Sequence, residues 1–222
     1  MIRRVRAATL WLAAAVWFGC RAPAPRTTKS MEANDLETNL RMLSDPVGGS
    51  PHLRRREQAI RYLLDHADQA HPRILEALRS NPKALNAPVL MEVLPRFGRP
   101  ESVPLLEEIL LLNIERLSGP AGQALGRHPA AGARDSLLRG LRSNQAYTRM
   151  GAIDGLMIRG DRSVCPELKI VTRNEEPDTR YRAIRAAGVL GCLSADELGE
   201  IQRSDPDPDI RRLAGELASR QP

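Results

Sequence analysis

Residues 174–191 read NEEPDTRYRAIRAAGVLG. Within this stretch Ala183, Ile184 and Ala187 stand at offsets 0, +1 and +4, one face of a helix. Gly191 follows at +8, where glycine ends a helix by accepting the left-handed conformation. Stepping by 31 residues from Ala183 meets Ala214 ahead and Ala152, Ala121, Leu90 and Ala59 behind. The +1 column is Ile60, Met91, Gly122, Ile153, Ile184 and Gly215, and the +4 column is Leu63, Leu94, Leu125, Leu156, Ala187 and Ala218. The +8 column holds Ala67, Gly98, Pro129, Gly160, Gly191 and Pro222.

A second helix follows in each unit. Its +16 column is Leu75, Leu106, Leu137, Leu168 and Gly199, and its +19 column Leu78, Ile109, Gly140, Val171 and Gln202. Pro104 and Pro166 share offset +14, near a helix start, where proline is tolerated. One helical pair cannot bury its own apolar stripe, but stacked pairs share a continuous core. The expected fold is therefore all-α, a right-handed α-solenoid of stacked helical hairpins with a 31-residue repeat over residues 52–222. Asp207 to Arg220 reads as a terminal cap. Residues 32–44, with Leu36, Leu40 and Leu43, read as an N-terminal cap helix, and Asp45 to Pro51 as the loop after it.

The stretches SDPDPDIRRLAGELAS (204–219) and NEEPDTRYRAIRAAGVLG (174–191) resemble the short HEAT-like repeats of phycobilin lyase relatives. The resemblance covers most of residues 52–222 and speaks to fold rather than function. It implies an arginine that opens each first helix and meets an aspartate of the preceding turn. Arg56, Arg149, Arg180 and Arg211 occupy that column, with Ala87 and Ser118 in the second and third repeats. Six residues upstream only Arg211 has an acid, Asp205; Ser143 and Asn174 stand at the equivalent places. The ladder is thus expected to be incomplete and the middle repeats the loosest.

Residues 1–20 read MIRRVRAATLWLAAAVWFGC. Arg3, Arg4 and Arg6 precede an apolar run, Ala7 to Phe18, too short to span a bilayer as a helix. This is the pattern of a secretory signal. Its end at Gly19-Cys20 resembles a bacterial lipoprotein signal, which implies cleavage after residue 19 and fatty acylation, palmitate or its like, of Cys20. Residues 20–31, with Pro23 and Pro25, then form a tether. The expected location is the membrane of a bacterial cell envelope.

The formal charge of +6 falls to +3 once Arg3, Arg4 and Arg6 leave with the signal. With only seven aromatic residues, three of them in the first twenty, a nucleic-acid surface is not expected. No CxxC, P-loop, G-x-S-x-G or His-Glu dipeptide occurs. No catalytic residue, metal or cofactor is expected. His66 and His71 read as a surface turn, and Asp205, Asp207 and Asp209 as acids at a helix start.

The exposed stripe of the second helices offers the remaining candidates. Leu111 and Leu138 stand among Arg142, Lys169 and Arg173, a partner-binding face for an acidic, partly apolar peptide. The expected function is a lipid-anchored, non-enzymatic protein–protein interaction scaffold. The rival is an enzyme or enzyme subunit of the phycobilin-lyase type. Cys165 and Cys192 fall on one edge of adjacent layers. Stacked helices are about 8–10 Å apart, wider than the roughly 7 Å that a disulfide spans, so free thiols are expected.

Overall fold

The computed structural model describes residues 28–44 and 50–220, with side chains for 35–43 and 53–220. It is all-α, with no strand among the described residues. The helices are α1 (Thr28–Ser44), α2 (Ser50–Asp65), α3 (Ala67–Ser80), α4 (Ala87–Phe97), α5 (Val103–Leu111) and α6 (Glu115–Arg127). They continue as α7 (Gly132–Leu141), α8 (Ala146–Arg159), α9 (Cys165–Val171), α10 (Pro177–Val189), α11 (Ala195–Ser204) and α12 (Pro208–Ala218). Short 3-10 turns lead into α5 and α9, and Pro104 and Pro166 lie in the first turns of those helices, where no amide hydrogen is needed. Residues 28–31, expected in the tether, belong to α1, and Ser50 and Pro51, expected in a loop, open α2. The signal sequence, Cys20 and the tether up to residue 27 lie outside the described residues.

The even-numbered helices from α2 to α12 each pack on the next, and each odd-numbered helix from α3 to α11 packs on the even helix that follows it. The residues at 59, 90, 121, 152, 183 and 214 are all buried, as are Leu63, Leu94, Leu125, Leu156 and Ala187. Gly98, Gly160 and Gly191 end their helices at φ of 67°, 72° and 68°, so a side chain there would strain the turn.

In α11 the apolar face departs from the expected columns by one residue. Leu198 is buried and Ile201 packs against the core, while Gly199 is half-buried and Gln202 exposed. The cause is the helix start. Ser194 accepts from the Glu197 amide and the Glu197 side chain accepts from the Ser194 amide, a capping box that sets where α11 begins.

The middle of the chain, expected to be loosest, is where helices approach most closely. A Cβ on Gly122 would lie 1.9 Å from the Gly151 carbonyl oxygen, and one on Gly151 2.2 Å from that of Ser118. Gly126 and Gly155 are equally tight, at 2.4 Å from Gly155 O and 2.3 Å from Gly122 O. The helix-opening arginines are also better supported than their sequence neighbours imply. Arg149, Arg180 and Arg211 donate through Nη1 to the carbonyl oxygens of Ser143, Asn174 and Asp205, at 3.0, 2.8 and 2.7 Å. A backbone carbonyl serves whatever the side chain, so the missing acids are immaterial. Asp205 instead receives Arg180 of the preceding layer, in two bonds of 2.8 and 3.0 Å. Ser118 fills the arginine column differently, by donating to the Leu110 carbonyl at 3.0 Å.

Cys165 and Cys192 form a disulfide with Cα atoms 5.2 Å apart, which corrects the expectation of free thiols. The helix-to-helix distance was the wrong ruler. The bond joins the first residue of α9 to the turn before α11, and turns at a layer edge sit closer than helix axes.

Two measurements test this packing. Gly122→Ala or Gly151→Ala should lower stability by at least about 2–3 kcal/mol, because the neighbour is rigid backbone. Gly199→Ala, whose Cβ meets only the end of the Arg203 side chain, should raise it by about 0.5–1 kcal/mol. Similar effects at the two classes of site in chemical denaturation would contradict the close approach. Separately, reducing the disulfide frees the unfolded chain from a closed loop, so the reduced protein should be less stable by roughly 3.5 kcal/mol for a 27-residue separation. Unchanged denaturation with and without reductant would speak against the bond.

Candidate functional site

The second-helix face does not gather the five expected residues into one site. Lys169 and Arg173 line a common groove of about 610 Å³ between the C-terminal halves of α9 and α11. Leu111, the last residue of α5, Leu138 in α7 and Arg142 just beyond α7 do not line it. Leu111 is 47% exposed, whereas Leu138 is half-buried against the core. Arg173 also reaches a second hollow, beside Asn144 and the exposed Ile170.

Charge on this face is largely engaged between layers. Lys169 Nζ donates to Glu197 at 2.7 Å. Arg180 is bound to Asp205 as above, with both side chains at least nine-tenths buried. Glu107 receives Arg139 at 2.5 and 2.7 Å and Ser136 at 2.8 Å, and those bonds hold its carboxyl below the usual range against the pull of burial. The groove thus has three cations and four carboxylates, and Arg173 is its cation without an ion pair. Arg142 is likewise exposed, with no ion pair among the described residues. The interlayer pairs were not foreseen from sequence. The signal was there in part, because Arg139 follows Glu107 by 32 residues, close to the repeat.

Among the described residues, a serine–histidine pair stands at catalytic distance, and its bonding is structural. Ser102 Oγ lies 3.0 Å from His128 Nε2, with both residues buried. His128 Nδ1 accepts the Ala130 amide at 3.1 Å, so the ring proton sits on Nε2. Nε2 donates to Ser102 Oγ or to the Arg99 carbonyl at 3.2 Å and cannot take a proton from the serine. His71, expected at a surface turn, is buried inside α3, edge-on to Phe97. His66 Nδ1 lies 2.8 Å from the Tyr62 carbonyl, and the ring stacks on Tyr62. Asp207 caps α12 by accepting from the amides of Asp209 and Ile210, and Asp205 accepts from that of Asp207. No group of three or more possible metal ligands occurs among the described residues, and no helix there is long and apolar enough to cross a membrane.

No protein-family model matches the chain, and no curated protein matches it either.

The histidines and carboxylates set two pH windows. Burial lowers the values of His128 and His71, so each is neutral in the fold. A second proton on His128 would meet the Ala130 amide head-on. Their contribution is complete above the unfolded histidine value, about 6.5, and is lost as pH falls below it. Asp161 is lowered to about 2 by Ser163 and Arg134, and Glu107 is lowered as described. Their contribution is complete above the unfolded carboxylate range and lost as pH falls towards their folded values. Urea midpoints should therefore drop in two steps between pH 8 and 3. His128→Asn, which keeps an acceptor for Ala130, should shrink the upper step. A midpoint flat from pH 7 to 5 in the wild type would contradict this.

Proposed function

We propose that the chain is a right-handed α-solenoid of 31-residue HEAT-like repeats, anchored by lipid on Cys20 to a membrane of the bacterial cell envelope. It works there as a non-enzymatic protein–protein interaction scaffold. The observation that carries this reading is the packing order. Even-numbered helices stack each on the next, and odd-numbered helices lean on their successors. Such nearest-neighbour packing leaves long, repetitive edges available to a partner. The Cys165–Cys192 disulfide supports an oxidising compartment, in keeping with a secretory signal.

The partner edge is formed by the C-terminal ends of the second helices. Leu111 gives an exposed apolar contact, and Arg142 and Arg173 are cations free to meet carboxylates of an acidic peptide. Lys169 contributes less, because a partner must first displace Glu197. Leu138, half-buried, serves as floor.

Site-specific photo-crosslinking from position 111 in cells tests the reading. The expected result is a discrete adduct in the membrane fraction. Arg142→Glu with Arg173→Glu should abolish the adduct and leave helical content unchanged, and Cys20→Ser should move the protein to the soluble fraction. An adduct that survives the double change removes this edge from the interaction. A Cys20→Ser protein that stays with the membrane removes the lipid anchor.

A further inference from the structure

A furrow of about 350 Å³ crosses the outer side of α6, α8 and α10, away from the second-helix edge. It exists because of the glycines. Gly151 lets α8 approach α6, and a Cβ on Gly119 would touch nothing within 4 Å, so no side chain fills the space beside it. Four aromatic residues lie in the side-chain-described part of the chain, and two of them, Tyr147 and Tyr181, line this furrow. Met150, buried, contributes an apolar, polarisable surface.

Three carboxylates, Glu115, Asp154 and Asp178, line the same furrow against two guanidiniums, Arg182 and Arg185. Arg182 is engaged, since its Nη1 donates to Asp154 Oδ2 at 2.5 Å. Glu115 and Asp178 hold no ion pair among the described residues. Asp154 has a side chain only 13% exposed, and one described hydrogen bond reaches it. Burial pushes its carboxyl up despite Arg182 and Arg185.

We propose that the furrow between Tyr147 and Tyr181 is a binding site for a cationic side chain, arginine or lysine, presented by a partner peptide. Aromatic faces attract cations through the ring quadrupole, and the attraction strengthens where water is partly excluded. Carboxylates near such rings supply the matching charge. An anionic ligand fits poorly, because three carboxylates line the furrow and one of its two guanidiniums is engaged. The site is separate from the second-helix edge and does not rest on the lipid anchor.

The test is an NMR titration of the ¹⁵N-labelled full chain with N-acetyl-arginine amide, and in parallel with N-acetyl-glutamate amide. The arginine probe, taken to about 20 mM so that a Kd of about 1 mM saturates, should shift amides of α8 and α10 around Tyr147, Asp154 and Tyr181. The glutamate probe should not. Tyr181→Leu should weaken binding about tenfold. Asp178→Asn, on the exposed rim, should weaken it about threefold without touching the core, and it decides the matter if Tyr181→Leu fails to fold. Absence of saturable shifts, equal shifts with both probes, shifts centred elsewhere, or an unchanged Kd in Asp178→Asn would overturn the proposal.

Discussion

Backbone touches backbone where α6 meets α8, and the rest of the architecture is arranged around that approach. Four glycines, at 122, 126, 151 and 155, remove every Cβ that would hold the helices at ordinary distance. Glycine in a helix interior costs about 0.5–1 kcal/mol in conformational entropy, so the contact must return more than it costs. The return comes from close van der Waals contact over two helix turns and from the order imposed on the flanks. Ser118, in α6, donates to the Leu110 carbonyl, and Thr148, in α8, donates to the same oxygen at 3.0 Å. Asn113, at φ 54°, accepts from the Tyr147 amide at 3.0 Å and so covers the start of α8 from the preceding turn. A wider spacing of α6 and α8 would draw the α8 donors, Thr148 and the Tyr147 amide, away from Leu110 and Asn113 together.

At the opposite edge of the layers the same geometric position is filled by different chemistry. Arg134 and Cys165 occupy corresponding places at the starts of α7 and α9, and Asp161 and Cys192 occupy corresponding places in the turns that follow. One pair is joined by a 2.6 Å ion pair, the other by a disulfide, each across 27 residues. The ionic link is partly exposed, titrates with Asp161, and is worth little by itself in water. The covalent one constrains the unfolded chain and does not respond to salt. The disulfide stands where the helices need it. α9 is only seven residues long and α11 is fixed by its own capping box, so few other contacts bind the two together.

The first-helix columns were legible because a buried helical face must return every turn, and the residues at 59, 90, 121, 152, 183 and 214 are all buried. Three of the departures from the columns have separate physical reasons. His71 was assigned to a turn, yet it shares one helical face with Leu75 and Leu78 at i, i+4 and i+7, which is the spacing of a buried residue. The shift in α11 is signalled by Ser194 and Glu197, a capping signature three residues apart that fixes the helix start independently of the columns. The middle repeats were judged loose from a missing arginine, although the glycines at 122, 126, 151 and 155 pointed the other way. The candidate face was less legible still. Whether Lys169 is free depends on where Glu197 lands, 28 residues on, and that is set by the offset between layers rather than by either helix.

That offset governs which charged residues of the chain meet one another. Among the described residues, nine of the thirteen ion pairs, such as Arg56–Glu92, Arg96–Glu57, Arg139–Glu107 and Arg182–Asp154, join residues 25 to 39 positions apart. Each therefore ties one helix to another helix or turn further along the chain. Eight of them each keep at least one partner in contact with solvent and contribute at most about 1 kcal/mol apiece. The exception is Arg180–Asp205, whose side chains are 10% and 8% exposed, so that removing one partner would strand a buried charge. Their shared effect is on register. A helix that slid by one residue would break pairs on both of its sides at once. The paired charges fix how the helices sit on one another, so the recognition proposed above falls to groups outside those pairs, Arg142 and Arg173 at one edge and the rim carboxylates Glu115 and Asp178 beside two tyrosines at another.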